Sequence, residues 1–243
     1  MAFSTNALIF FVILAVSSGR LSDAIGTSHQ QFWAAPYYCD VIDVIFVLDE
    51  SETVLQQDPN NFYTLQNFLL ALTSWFNIGP DNTRVAAVAY GRTAISHFNL
   101  NDSKSYADLK NLINSMNFLG GARDTSAGLQ QAHQEILLYS RQSAGVPVYV
   151  VHIAEYAHDV GDDPSTLAKE IGKLKVPIFA VSVLSFQNDH IFQSETQEIV
   201  SAGGPGSMQY NATDYTDVEY SGIVEKFQTI VRQFPCVRLS GHA

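Results

Sequence analysis

Asp43-Val-Ile-Phe-Val-Leu-Asp-Glu-Ser-Glu-Thr53 is the stretch from which the fold is read. Val44 to Leu48 is an unbroken apolar run of strand length, which suits a strand buried on both faces rather than an alternating half-exposed one. It ends abruptly in Asp49, with Ser51 and Thr53 at alternate positions beyond it. The C-terminal ends of strands are where open α/β sheets place their ligands. A carboxylate and two hydroxyls converging from one loop suit a hard cation such as Mg²⁺, which takes oxygen ligands.

Working outward, helices and strands alternate. Phe62, Leu65, Leu69, Leu72 and Phe76 recur at helical spacing, with Asp58-Pro59 read as the helix start. Arg84 to Tyr90 reads as a second buried strand, and Gly91-Arg92 turns into a short alternating strand, Ala94 to Phe98, of the kind found at antiparallel edges. Helices are expected over Tyr106 to Met116 and again after Gly120-Gly121, with Leu129, Ala132, Ile136 and Tyr139 on one face. Strands follow at Pro147 to Ile153 and Val176 to Val183, separated by a short helix bearing Leu167, Ile171 and Leu174. A helix over His190 to Ala202, a short strand near Met208 and a closing helix with Ile223, Phe227, Ile230 and Phe234 complete the pattern. The fold class is α/β: a doubly wound, mostly parallel sheet with one antiparallel edge strand and helices on both faces.

Thirteen basic residues against 24 acidic ones give a formal net charge of −11. That argues against nucleic acid and anionic lipid as partners, since both require a basic surface. The apolar block Ala7 to Val16, followed by Ser17-Ser-Gly19, reads as a signal peptide over residues 1–24, too short to span a membrane. A lead-in occupies residues 25–38, the domain itself 39–236, and a short tail 237–243. The chain's two cysteines, Cys39 and Cys236, flank the domain and are expected to pair in an oxidising compartment. Asn101-Asp-Ser103 and Asn211-Ala-Thr213 are glycosylation sequons in polar stretches, expected in surface loops of a secreted protein.

The order of elements, with D-x-S-x-T after the first strand, resembles the von Willebrand factor type A domain. Arg84-Val-Ala-Ala-Val-Ala-Tyr-Gly91, Phe98-Asn-Leu-Asn101, Leu119-Gly-Gly121 and Ile178-Phe-Ala-Val-Ser-Val183 carry the likeness further. The resemblance implies a metal-ion-dependent adhesion site built from three loops, where a partner's carboxylate completes the cation's shell. Asp49 and Ser51 match its first loop, and Thr53 keeps the hydroxyl of its last serine. In the second loop Arg123 falls on the metal-facing threonine. In the third, Glu155 stands where the family usually has aspartate. An inward Arg123 would pair with Asp49 and Glu155 in the cation's place, because it offers a permanent positive charge. An outward one would leave Mg²⁺ to Asp49, Ser51, Thr53 and Glu155, with Asp124, Thr125 or water filling in. The cofactor expectation is therefore Mg²⁺ or none.

Other constellations are weaker. His152-Ile-Ala-Glu-Tyr-Ala-His158 with Asp159 and Asp162 has the residue types of a transition-metal cluster but lacks the spacing of a helical zinc motif, and a core histidine beside a solvated acidic loop explains it better. No G-x-S-x-G marks a serine nucleophile. The leading expectation is a secreted, non-enzymatic module that binds an extracellular protein through Asp49, Ser51, Thr53, Arg123, Asp124, Thr125 and Glu155. The alternatives are a structural or oligomerising matrix domain that has lost the site, and a metal-dependent hydrolase using the Glu155–His158 loop.

Overall fold

β1 (Asp43–Asp49) lies in the interior of its sheet, flanked on both sides by parallel strands, which is why every one of its side chains is buried. The computed structural model describes residues 41–183, 190–213 and 227. The expected signal peptide, lead-in segment, Cys39–Cys236 pair, C-terminal tail and, apart from Phe227, closing helix lie outside the described residues.

Among the described residues, six strands form one sheet in the order β3-β2-β1-β4-β5-β6. The others are β2 (Arg84–Tyr90), β3 (Ala94–Phe98), β4 (Val148–Ala154), β5 (Ile178–Val183) and β6 (Met208–Ala212). All pairings are parallel except that of β3 with β2, so the antiparallel edge falls where the short alternating strand was expected. Side chains along β1 alternate between two cores. Val44, Phe46 and Leu48 face α2 (Asn61–Thr73) and α3 (Tyr106–Asn114), through Leu65, Phe68, Leu69, Leu109 and Ile113, with Phe227 in the same core. Ile45 and Val47 face α4 (Thr125–Tyr139), α5 (Pro164–Lys173) and α6 (His190–Ala202), through Leu129, Ile136, Ile171 and Ile199. Each fully buried aliphatic or aromatic side chain contributes about 1.5–3 kcal/mol.

Side-chain caps define several helix starts. Ser105 accepts from the Asp108 amide, Asp124 from Ala127 and Asp163 from Ser165, with Pro164 in the first turn of α5. Pro59 behaves differently from expectation. It precedes α2 rather than sitting in its first turn, and a separate short helix, α1 (Glu52–Gln57), comes before it. The cause is local: a residue before proline is pushed out of helical conformation, and Asp58 is extended at φ −144, ψ 123. On the other face α4 approaches β2 closely because Gly128 has no side chain, and a Cβ there would lie 2.5 Å from the Tyr90 ring.

At the N-terminal end of β1, Asp43 is fully buried and acts as a clasp. Its carboxylate accepts from Arg84 Nε at 3.0 Å and Nη2 at 2.8 Å. It also accepts from the Arg141 backbone amide at 2.7 Å, Nε at 3.1 Å and Nη2 at 2.7 Å. Arg141 reaches further to the carbonyls of Pro80 and Asn82, and Arg84 to that of Tyr139. One carboxylate thus joins β1, β2, the segment after α2 and the end of α4.

Nearby, Glu135 on α4 is 1% exposed and accepts the Leu100 amide at 2.7 Å, while its other oxygen has no hydrogen-bond partner. Burial pushes its carboxyl from 4.5 up to about 7, against the pull of the Leu100 N–H. Between those values the folded protein holds a proton that the unfolded chain has released, so stability falls as pH rises through the window. Urea unfolding is expected to show the natural protein losing about 2 kcal/mol relative to Glu135→Gln between pH 5 and 6.5. Parallel pH profiles for the two proteins would refute this.

Candidate functional site

The parallel strands β1, β2 and β4 all end at the same face, and their loops are laced together by backbone hydrogen bonds. The Glu50 amide donates to the Tyr90 carbonyl, Gly120 to Glu50, Glu52 to Gly121 and Asp124 to Gly91, each at 2.9 Å. Glu50, fully buried, reinforces this with its side chain, which bonds His97 Nε2 on β3 at 2.9 Å and the Leu119 amide at 3.1 Å. Adjacent to the expected ligand residues, Glu50 was not singled out in the sequence; its role is to hold the second loop against the first.

That lacing delivers Arg123 into the middle of the face. Its Nε donates to Asp49 Oδ2 at 3.0 Å and its Nη2 to Thr53 Oγ1 at 2.5 Å. Nη1 donates to the Ala157 carbonyl at 2.6 Å and to Asp159 Oδ1 at 3.3 Å. The guanidinium carbon lies 5.0 Å from the centre of the Tyr156 ring, a cation–π contact. The Arg123 backbone is fixed as well, its carbonyl accepting from the amides of Asp159 and Val160. Arg123 is 2% exposed.

The other site residues complete this arrangement. Asp49, 1% exposed, also accepts the Ser51 amide at 2.9 Å, and Ser51 Oγ is 2.9 Å from Thr53 Oγ1. Burial raises the Asp49 pKa, and Arg123 and Ser51 pull it back. Burial likewise works against the Arg123 charge, but Asp49 and Asp159 outweigh it and hold the guanidinium protonated. Asp124 is occupied as the cap of α4, Thr125 is fully buried at the start of that helix, and Glu155 is 3% exposed directly after β4. Of the two orientations open to Arg123, the structure has the inward one, with Asp159 and Thr53 as partners alongside Asp49.

A divalent cation seated between Asp49 and Thr53 would have to take the oxygens on which the guanidinium is hydrogen-bonded. Mg²⁺ needs near-octahedral oxygen ligation at about 2.0–2.1 Å, and a guanidinium supplies donors only. Among the described residues, no three His, Cys, Asp or Glu side chains are grouped to hold a metal ion.

The two histidines of the β4 region serve separate partners. His152 Nε2 is 2.9 Å from Tyr90 Oη in the buried layer under the site, and burial lowers its pKa to about 4. His158 Nδ1 bonds the Glu195 carboxylate, which also accepts the His158 amide at 3.0 Å, tying the β4–α5 loop to α6. Above Arg123 lies a pocket of about 350 Å³ lined by Thr53, Tyr156, Ala157, His158, Asp159 and Ile191. Tyr156, Asp159, Glu195 and Ile191 belong to the site through tertiary packing and carry no local signal of it, apart from the acidity of the 155–163 loop.

Both sequon asparagines are exposed. Asn101 lies in a loop and its Oδ1 accepts from Arg84 Nη1 at 2.6 Å. Asn211 is not in a loop, as expected from sequence, but within β6, the end strand of the sheet among the described residues. Its polarity is compatible with that position because an edge strand exposes alternate side chains.

The family model of the von Willebrand factor type A domain matches residues 43–226. The collagen alpha-1(XXI) chain of Xenopus laevis is 31% identical over 159 residues, covering 65% of this chain and 16% of that protein. Integrin alpha-11 of Mus musculus is 28% identical over 156 residues, covering 64% of this chain and 13% of that protein. The chain therefore spans less than a fifth of either relative's length. In fold, proximal thread matrix protein 1 of the mussel byssus superposes with a TM-score of 0.66 at 16% identity, covering 79% of this chain and 48% of that one. A further structure of that mussel protein, with a zinc-occupied MIDAS motif, superposes with a TM-score of 0.65 at 23% identity, covering 80% and 46%.

Proposed function

The chain belongs to the von Willebrand factor type A domain family, and from that membership we propose that it is a secreted, non-enzymatic module that binds an extracellular protein through the loop face without a bound cation. The observation that carries this reading is Arg123. Its guanidinium is hydrogen-bonded to Asp49 and Thr53, two of the residues that would otherwise hold the metal, and so acts as a built-in cation. A zinc-occupied motif in the mussel relative indicates what the fold accommodates when the loops allow it. Here the charge arrives covalently, and the loops are held together without an ion. The collagen and integrin relatives support an extracellular adhesive role for the domain. The absence, among the described residues, of a helix long and apolar enough to cross a membrane is compatible with it.

The measurement that tests the reading is a thermal-unfolding series in EDTA, Mg²⁺, Mn²⁺ and Ca²⁺. The melting temperature is expected to be the same in all four. A rise with Mg²⁺ or Mn²⁺ that disappears in Asp49→Ala would overturn the cation-free reading, since a ligand bound only to the folded state must stabilise it.

The collagen and mussel matrix relatives favour a second reading, in which the domain serves assembly of a matrix rather than capture of a ligand. Concentration-dependent self-association in sedimentation velocity would favour this reading over ligand capture.

A further inference from the structure

We propose that the pocket over Arg123 receives a basic side chain, a lysine or arginine of the extracellular partner, so that the charge preference of the face is the reverse of one built on a metal ion. The inference rests on the cation-free reading above and deepens it.

Charge is the first argument. A divalent ion would bring two positive charges to this position, whereas the guanidinium brings one. That single charge is shared between two carboxylates, Asp49 and Asp159, which leaves one negative charge in excess. The exposure of the three groups is unequal. The Arg123 and Asp49 side chains are 3% and 1% exposed, whereas the Asp159 side chain is 50% exposed. Each guanidinium nitrogen already donates a hydrogen bond, and although both Asp159 oxygens accept from Arg123, an incoming carboxylate would meet the half-exposed Asp159 before it met the buried guanidinium. The surrounding exposed charges reinforce the sign. Glu52, at the start of α1, and Asp162 and Asp163, in the β4–α5 loop, are exposed, against one exposed cation among the described residues there, Arg92, beside Gly121. His158 is engaged with Glu195.

Shape is the second argument, independent of charge. The pocket of about 350 Å³ pairs an acidic end at Asp159 with an apolar wall formed by Tyr156 and Ile191, and Ile191 is 74% exposed at the start of α6. Lysine and arginine have the matching form, an aliphatic stem with a charged head. The stem would lie along Tyr156 and Ile191 while the head reaches Asp159. A glutamate side chain offers a shorter stem and the wrong sign.

The test is an amide chemical-shift titration of the full chain in EDTA with two capped tripeptides, Gly-Arg-Gly and Gly-Glu-Gly. Saturable shifts are expected at residues 156–160 and at 191 with the arginine peptide only, weakening as salt is raised because partly exposed charges are screened. Asp159→Asn should weaken binding at least fivefold with the spectrum otherwise dispersed as before. Ile191→Ser should weaken it by a smaller factor through the stem, without touching the Arg123 hydrogen bonds. Saturable binding of the glutamate peptide at these residues, or of neither peptide, would overturn the inference while leaving the cation-free reading intact. That reading fails separately, through a Mg²⁺-dependent melting temperature in the natural protein.

Discussion

Arg123→Thr is expected to lose about 3–5 kcal/mol of unfolding free energy in EDTA, the usual cost of removing one partner from a buried ion pair. Asp49 would remain 1% exposed with its countercharge gone, and the Ala157 carbonyl and Thr53 hydroxyl would each lose a donor. The threonine would restore the neutral oxygen that the family resemblance assigns to the position. Mg²⁺ should then bind where the guanidinium had been and recover about 2.7 kcal/mol at a hundredfold excess over its dissociation constant. For a domain of this size that recovery corresponds to roughly 5–11 °C in melting temperature. The readout is a melting temperature that depends on Mg²⁺ in the variant and not in the natural protein. Identical Mg²⁺ responses in the two proteins would show that Arg123 does not stand in the cation's place.

Asp43→Ala is the other large effect, at the far end of the same strand. Five hydrogen bonds from Arg84 and Arg141 converge on that carboxylate, which is fully buried. Its removal leaves two arginines facing each other without a countercharge, and a loss of about 3–5 kcal/mol is expected from urea unfolding. The same experiment with Arg84→Leu plus Asp43→Leu should recover part of that loss, because only Arg141 is then left without its countercharge. A single variant within 1 kcal/mol of the natural protein, about the level of an exposed ion pair, would mean that the arginines find other acceptors.

The fold was legible because its signals are local. Val44 to Leu48, Arg84 to Tyr90 and Pro147 to Ile153 are apolar runs of strand length, and Phe62, Leu65 and Leu69 repeat at helical spacing. The break between α1 and α2 was missed because its cause, the conformational restriction that Pro59 places on Asp58, competes with the readiness of proline to enter a first helical turn. The candidate site was half legible. Asp49, Ser51 and Thr53 stand at alternate positions across the end of β1 and the start of α1, and the place of Arg123 came from the family resemblance. Which way Arg123 would point depended on groups distant in sequence: the Ala157 carbonyl, Asp159 and the Tyr156 ring, 33 to 36 residues onward. Ile191 and Glu195 are further still and reach the site only because α6 packs beside β5. Contacts of that kind leave no periodicity to read.

The position of β1 has a mechanical consequence. Seven of its residues are in register with β2 and six with β4, all in parallel, and arginines grip the carboxylates at both of its ends. A load applied to the chain at Val41 and directed along the strand would therefore pull both ladders in shear. The hydrogen bonds on each side would have to break together rather than peel one at a time, and the Asp43 clasp lies first in the line of force. A tether anchored at that end of the domain would meet the resistance of both ladders before the loops at the opposite end of β1 were disturbed.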